Sequence, residues 1–327
     1  MKAPTPFEAK TPTMMSNAVL VAIGGNATHP ENIRGTTEEQ EAVAATAART
    51  LLPLVQSGCP LLITHGNGPV VGKILLRMML TRDQIPPMRL DVCVAHSQGG
   101  IGYMLMQGFE NEMRRAGIDR QVGCMLTQVE VDANDPAFLS PSKPIGPFFT
   151  EAEAKDYEAK GWEMMEDSGR GWRHCVPSPD PKSIVHVGMI ETMLGTGAVM
   201  IVGGGGGIPV VRAPNGDWQG VQAVVDKDFA SALLAHTLHI PTLLLLSGID
   251  KVAVHFGKSN QRWLEAVTVS ELKVLQQEGH FGKGSMGPKV EAAIRHIEGG
   301  GQRAIIAHME KALPALQGQT GTHVVAG

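Results

Sequence analysis

Three times in this 327-residue chain a short apolar run ends directly in a cluster of glycines. Val19 to Ile23 leads into Gly24-Gly25-Asn26, Leu61 to Thr64 into His65-Gly66-Asn67-Gly68-Pro69, and Ala198 to Val202 into Gly203 to Gly207. Short apolar runs bounded by glycine and followed by helix-like stretches are the pattern of buried parallel strands joined by crossover helices. Further buried strands are expected at Gln121 to Thr127 and Thr242 to Leu246, with a closing strand at Arg303 to Ala307. Thr36 followed by Glu39 has capping-box spacing and predicts a helix running to about Leu54, with Gly58 close to its end.

In an open α/β sheet, ligands sit beyond the carboxyl ends of the strands, so the three glycine loops are expected to share one site. Glycine lets backbone N–H groups approach phosphate oxygens, and a following helix N-terminus adds roughly half a unit of positive charge. A dinucleotide fold is the obvious rival, because Asp226 lies about 20 residues beyond the five-glycine run. Its context is wrong: Ile208-Pro209-Val210-Val211 reads as a strand where a helix is required, and Asn215-Gly216-Asp217 as a hairpin turn. The GxxxxGK[ST] spacing is absent too.

The chain is longer than a single core usually supports, so one large α/β domain or two closely joined lobes is expected. Residues 1–17 read as a loose arm without the apolar centre of a signal peptide, and residues 18–327 as the folded unit. Asp135 to Pro181 departs from the strand-and-helix pattern, with many prolines, several glycines and the exposed-looking Trp162 and Trp172. It is read as an inserted lid or small subdomain, since structureless loops of that length are uncommon.

Lys+Arg 28 against Asp+Glu 32 gives a net charge of -4, and with no run of like charges the chain carries no footprint for nucleic acid or anionic membrane. No apolar run reaches the roughly 18 residues that cross a bilayer. Cys59, Cys93, Cys124 and Cys175 lack CxxC spacing, which suits neither a disulfide framework nor a zinc site and points to a reducing, cytoplasmic setting. Small-molecule chemistry is what remains.

Phosphoryl transfer asks a protein mainly for positive groups that hold the phosphates and neutralise charge as the bond breaks. Three lysines sit in glycine-, proline- or acid-bounded loops: Lys143 in Pro141-Ser142-Lys143-Pro144, Lys227 between Asp226 and Asp228, and Lys289 after Gly287-Pro288. Lys227 opens a helix expected over Asp226 to His236, where Asp226 has the alternative role of an N-cap and Asp228 could fix the lysine head. Lys289 falls in the first turn of another helix. His65 and His96 have no triad or metal spacing and are read as structural; no nucleophile elbow, HExxH motif or other metal site appears.

Taken in order, Val21-Ala22-Ile23-Gly24-Gly25-Asn26-Ala27, Thr64 to Pro69, Ser97-Gln98-Gly99-Gly100-Ile101-Gly102-Tyr103, the Asp135 to Pro147 stretch, Val176-Pro177-Ser178-Pro179, the five-glycine run, Asp226-Lys227-Asp228 and Lys283 to Lys289 resemble carbamate kinase, of the amino acid kinase superfamily. The likeness runs from about Ala18 to the C-terminus. It implies a three-layer αβα sandwich around a largely parallel, about eight-stranded open sheet, with a small protruding lid at about 135–181, and a homodimer. It also implies reversible phosphoryl transfer between ATP and carbamate, giving ADP and carbamoyl phosphate, with Mg²⁺. By matching position, Lys143, Lys227, Asp228 and Lys289 would be catalytic. Gly24, Gly25, Asn26, Gly66, Asn67 and Gly68 would hold phosphate and substrate, and Gly204, Gly205, Asp226, Ser247 and Met286 the nucleotide.

Two positions depart from the family's pattern. Ser247-Gly248 stands where a Thr-Asp pair is usual, so an acidic group is missing on the nucleotide side, and Gln222 stands where glutamate is frequent. Both bear on nucleotide affinity or metal handling. Two alternatives accompany the carbamate reading: a relative acting on another small carboxylate or carbamate-like acid, against which the lid motif around Lys143 speaks, and a catalytically weak regulatory paralogue, against which the three lysines speak. Arginine fermentation and breakdown of purine-derived ureides both stay open as sources of carbamoyl phosphate.

Overall fold

The structure is a computed structural model that describes residues 16–25, 28–30, 33–167, 169–282, 284 and 286–327. Asn26, expected to hold phosphate, lies outside the described residues, as do Ala27, Lys283 and Ser285 of the motifs and nearly all of the predicted arm.

Eight strands form one sheet in the order Ala266–Thr268, Thr322–Val325, Arg303–His308, Thr242–Ser247, Val19–Ile23, Leu61–His65, Val199–Ile201, Val122–Cys124. Every neighbouring pair is parallel except Arg303–His308 with Thr322–Val325. Val19–Ile23 and Leu61–His65 are buried at every residue, because helices cover both faces; this is why they read as continuous apolar runs. Successive side chains enter opposite layers: Leu20, Leu62 and Leu243 join one cluster with Ala235 and Ile294, while Val21, Ile63 and Leu244 join another with Leu51, Leu105 and Phe109. These are the three layers of the predicted αβα sandwich. The capping box forms as expected: Glu39 N donates to Thr36 Oγ1 at 3.3 Å, Thr36 N to Glu39 Oε2 at 2.9 Å, and the helix runs Thr37–Gln56.

Three expectations need correction. The strand near Gln121 to Thr127 spans only Val122–Cys124 and is half-buried, because it is the edge of the sheet. Arg303–His308 does not close the sheet: Thr322–Val325 returns antiparallel beside it, after a turn at Gly321 with φ +89°. Trp162 and Trp172 are half-buried; Trp162 stacks between Tyr157 and His174, with ring centroids 5.1 and 4.1 Å apart.

Three smaller sheets stand outside the main one, the smallest an antiparallel pair of Val252–Val254 with Arg262–Leu264. Trp218–Gly220, Ile208–Arg212, Gln128–Val131 and Pro181–Ile184 form four strands, and Ile208–Arg212 is indeed a strand turning at Gly216 into an antiparallel partner. Lys143–Phe149, Trp172–Val176 and Met164–Glu166 form three, joined by the helix Glu151–Glu158. This three-stranded sheet lies hard against the helix Gly68–Thr81: a Cβ on Gly72 would stand 2.0 Å from Gly146 N. No helix among the described residues is long and apolar enough to cross a membrane.

Candidate active site

The glycine loops do converge. A Cβ on Gly66 would lie 2.7 Å from Gly25 N, so the turns after the first two strands touch backbone to backbone. In the five-glycine run, Gly203, Gly205, Gly206 and Gly207 all take positive φ, a geometry cheap only for glycine. The run is fastened by Gln98, whose Nε2 donates to Gly204 O at 2.8 Å while its Oε1 accepts from Thr127 N at 2.9 Å. Gly205 faces Asn67, which donates to Ser97 Oγ at 2.8 Å.

Around these loops lies a cleft of about 470 Å³. Gly24, Gly25, Gly66, Asn67, Gly68 and Gly205 line it, together with Lys143, Asp226, Lys227, Asp228, Ser247 and Lys289. Gly204 and Met286 are not among its lining residues: Gly204 is turned against His65, and Met286 packs on the apolar core. Gln222 is exposed and also off the lining.

At the floor, Asp228 accepts from Lys227 through Oδ1 and from Lys289 through Oδ2 at 3.2 Å. The three side chains are 5%, 9% and 8% exposed, respectively. Asp228 and Lys227 are adjacent on the helix Lys227–Thr237, and Lys289 comes from the first turn of the helix Met286–Glu298. Burial opposes ionisation of Asp228, but the two ammonium groups outweigh it and hold its carboxyl below the usual range. Burial lowers the Lys227 ammonium despite the Asp228 charge beside it. With both lysines protonated the cluster carries two positive charges against one negative, a surplus that a bound anion would neutralise.

Above the floor, Lys143 Nζ donates to Asp226 Oδ2 at 2.6 Å, while Asp226 Oδ1 caps the helix through Asp228 N at 2.8 Å. Asp226 thus fills its N-cap role and holds the inserted sheet at once. His65 is buried, its ring nitrogen against Gly66 O at 3.1 Å, and burial pushes its pKa down to about 4, which keeps the ring neutral. His96 is exposed. Among the described residues no group of three His, Cys, Asp or Glu side chains is placed to hold a metal ion.

Several lining residues escaped the sequence reading. Arg173 is 12% exposed and pairs with Asp167 at 3.2 Å; its guanidinium lies 5.1 Å from the Phe148 ring centroid, and its Nε is buried without a partner. Burial lowers its pKa, and Asp167 opposes that. Gly169-Arg170-Gly171 carries the same glycine-bounded cation signal that singled out the lysines. His29 and Lys73 also line the cleft, with Nε2 and Nζ 2.6 Å apart. No local pattern marks that pair.

The chain matches the amino acid kinase family over residues 17–308. It is 46% identical to the carbamate kinase of Pyrococcus horikoshii, over 95% of this chain and 99% of that protein. It is 42% identical to the carbamate kinase-like protein YahI of Escherichia coli, over 95% and 99%. Among solved structures it resembles the carbamate kinase of Giardia lamblia bound to citric acid, at 39% identity and a TM-score of 0.91, and the same enzyme bound to AMP-PNP, at 40% and 0.87; each covers 95% of this chain and 99% of the other.

Proposed function

We propose the following division of labour for this chain, which belongs to the amino acid kinase family and is a carbamate kinase, an ATP-dependent phosphotransferase. The observation that carries it is the buried Lys227–Asp228–Lys289 cluster beneath the meeting point of the glycine loops. Its surplus positive charge suits a phosphoryl group in flight, where charge spreads over the equatorial oxygens. Lys227 and Lys289 stabilise that charge, and Asp228 positions both ammonium groups without touching substrate. The amides of Gly24, Gly25 and Gly66 to Gly68 cradle the transferring group, and Asn26 is assigned to the same group.

The strand order sets two halves. Thr242–Ser247 and Leu61–His65 flank Val19–Ile23 on opposite sides. We place the nucleotide on the Ser247 side and the acid on the Leu61–His65 side, under the lid formed by residues 135–181 and its Lys143. In the ATP-forming direction an ADP β-phosphate oxygen attacks the phosphorus of carbamoyl phosphate. The bond from phosphorus to the carboxyl oxygen breaks, and carbamate leaves to decompose to ammonia and CO₂.

Mg²⁺ belongs to this reading as a companion of the nucleotide. The nearby carboxylates are already engaged, Asp226 by Lys143 and Asp228 by two lysines. A donor set of that kind fits an ion carried by substrate phosphates and water better than a side-chain cage. When bound, the ion would neutralise phosphate charge.

A cytoplasmic homodimer completes the proposal. Val122–Cys124 pairs on one side only, Tyr103 and Leu126 are each 51% exposed, and Gly99 and Gly100 stand on the outer face of a helix with open space before them. A second copy covering this face would remove an unpaired edge; light scattering of the purified protein distinguishes dimer from monomer. The assay for the activity is ATP formation from ADP and carbamoyl phosphate, with and without Lys227→Ala.

A further inference from the structure

We infer that Lys73 is a substrate-binding residue on the acid side of the cleft, with His29 as its positioning residue; this rests on the carbamate kinase reading above. Lys73 projects from the helix that follows Leu61–His65, in the half assigned to the acid, and it lines the cleft. Its ammonium has three donors. Two are spoken for: Nζ stands 2.6 Å from His29 Nε2 and donates to Arg34 O at 2.7 Å. The third is free for an oxygen of the acid that is not transferred.

The pair is built rather than incidental. An ammonium cannot accept a hydrogen bond, so His29 Nε2 must, which leaves the ring proton on Nδ1. That Nδ1 is buried and has no partner, although His29 is 3% exposed. An orphaned buried donor is destabilising and calls for an explanation; here the tautomer is imposed by the task of aiming Lys73. The chain folds over the pair at Gly35, where φ is +85° and a Cβ would stand 2.3 Å from His29 Cε1 and 3.0 Å from Lys73 Nζ. Glu39 pins that turn by accepting from Gly35 N at 2.7 Å. A surface lysine that merely solvates itself has none of this scaffolding.

The test compares wild-type enzyme with Lys73→Gln, which keeps a donor for the lacing contacts but no charge, and Lys73→Arg, which keeps the charge. The expected result for Lys73→Gln is a KM for carbamoyl phosphate about tenfold higher, the size of one charge-assisted contact. Its KM for ADP should stay within about twofold, kcat should change little, and Lys73→Arg should recover part of the loss. His29→Gln should shift the same KM by less. An unchanged KM for carbamoyl phosphate in Lys73→Gln, or equal shifts in both KM values together with a lower melting temperature, overturns the inference and leaves Lys73 as loop lacing. Should wild-type protein form no ATP, the broader reading fails first. Calorimetric titration of carbamoyl phosphate into wild type and Lys73→Gln then still decides the point: equal affinities overturn it and weaker binding by the variant upholds it.

Discussion

Lys143 Nζ meets Asp226 Oδ2 at 2.6 Å, joining two residues 83 positions apart. One belongs to the inserted three-stranded sheet and the other to the N-cap of the helix that carries Lys227. In this arrangement Lys143 is held by a carboxylate of the protein itself, at 22% and 15% side-chain exposure. On the reading proposed above, Lys143 lines the cleft and exchanges this partner for substrate, which makes Asp226 a latch.

Asp226→Asn should release the latch while keeping the helix cap, because asparagine caps as well as aspartate. Amide exchange over Lys143–Phe149 is expected to speed up severalfold, with ADP affinity within about threefold. Lys143→Ala should lower turnover about 10²-fold, the usual worth of one electrostatic donor, again with ADP binding near normal. Unaltered exchange in the first variant, or matching loss of ADP affinity in the second, contradicts the latch.

Asp228→Asn leaves two buried ammonium groups without their shared counter-charge. Breaking one partner out of a buried ion cluster typically costs about 3–5 kcal/mol, and urea unfolding at pH 7 measures it. Because the folded carboxyl titrates below its ordinary value, the wild-type contribution is present above the unfolded pKa of about 3.9 and lost as pH falls below it. A variant as stable as wild type at pH 7 would remove Asp228 from its organising role.

His65 gives a second, separable acid sensitivity. Its folded pKa of about 4 lies below the ordinary 6.5, so between these values the unfolded chain takes up a proton that the fold refuses. Stability is complete above about pH 6.5 and falls as pH drops towards 4, by roughly 3 kcal/mol from this residue. His174, also held near 4 by burial, adds in the same direction. Urea melts at pH 7 and 4.5 should show the drop, and His65→Gln should reduce it; an identical drop in that variant assigns it elsewhere.

Gly248 lines the cleft on the side proposed for the nucleotide, with nothing within 4 Å of where a Cβ would sit. Gly248→Asp supplies the missing acid without a clash. KM for ADP is expected to move about three- to tenfold, in line with one hydrogen bond or ion contact, while KM for carbamoyl phosphate stays put. Movement of the second constant would show that the two halves of the cleft are not divided as proposed.

Much of this could be read from local signals. Val19–Ile23 and Leu243 to Leu246 are apolar throughout because both faces are covered, and Thr36 with Glu39 spells out its cap within four residues. Lys227 and Asp228 were legible as neighbours at a helix start, and Lys289 as part of a first turn. What stayed hidden is pairing at a distance. Nothing near Asp228 announces Lys289, 61 positions on, and nothing near Lys73 announces His29, 44 positions back. Thr322–Val325 was missed because it is four residues long and follows another strand only through a short helix and turns. Trp162 was misjudged because its burial comes from rings of Tyr157 and His174 within the insert, which no periodicity reports.

The most direct test is ATP formation from ADP and carbamoyl phosphate with Mg²⁺, run on wild type and Lys227→Ala in parallel with a melting curve of each. Lys227 sits in the cluster that carries the assignment. The account predicts ready turnover by wild type and a loss of about 10²- to 10³-fold in the variant, with ADP-induced stabilisation retained. Near-normal turnover by Lys227→Ala would contradict the role given to the cluster, and a folded, ADP-binding wild type that makes no ATP would contradict the activity itself.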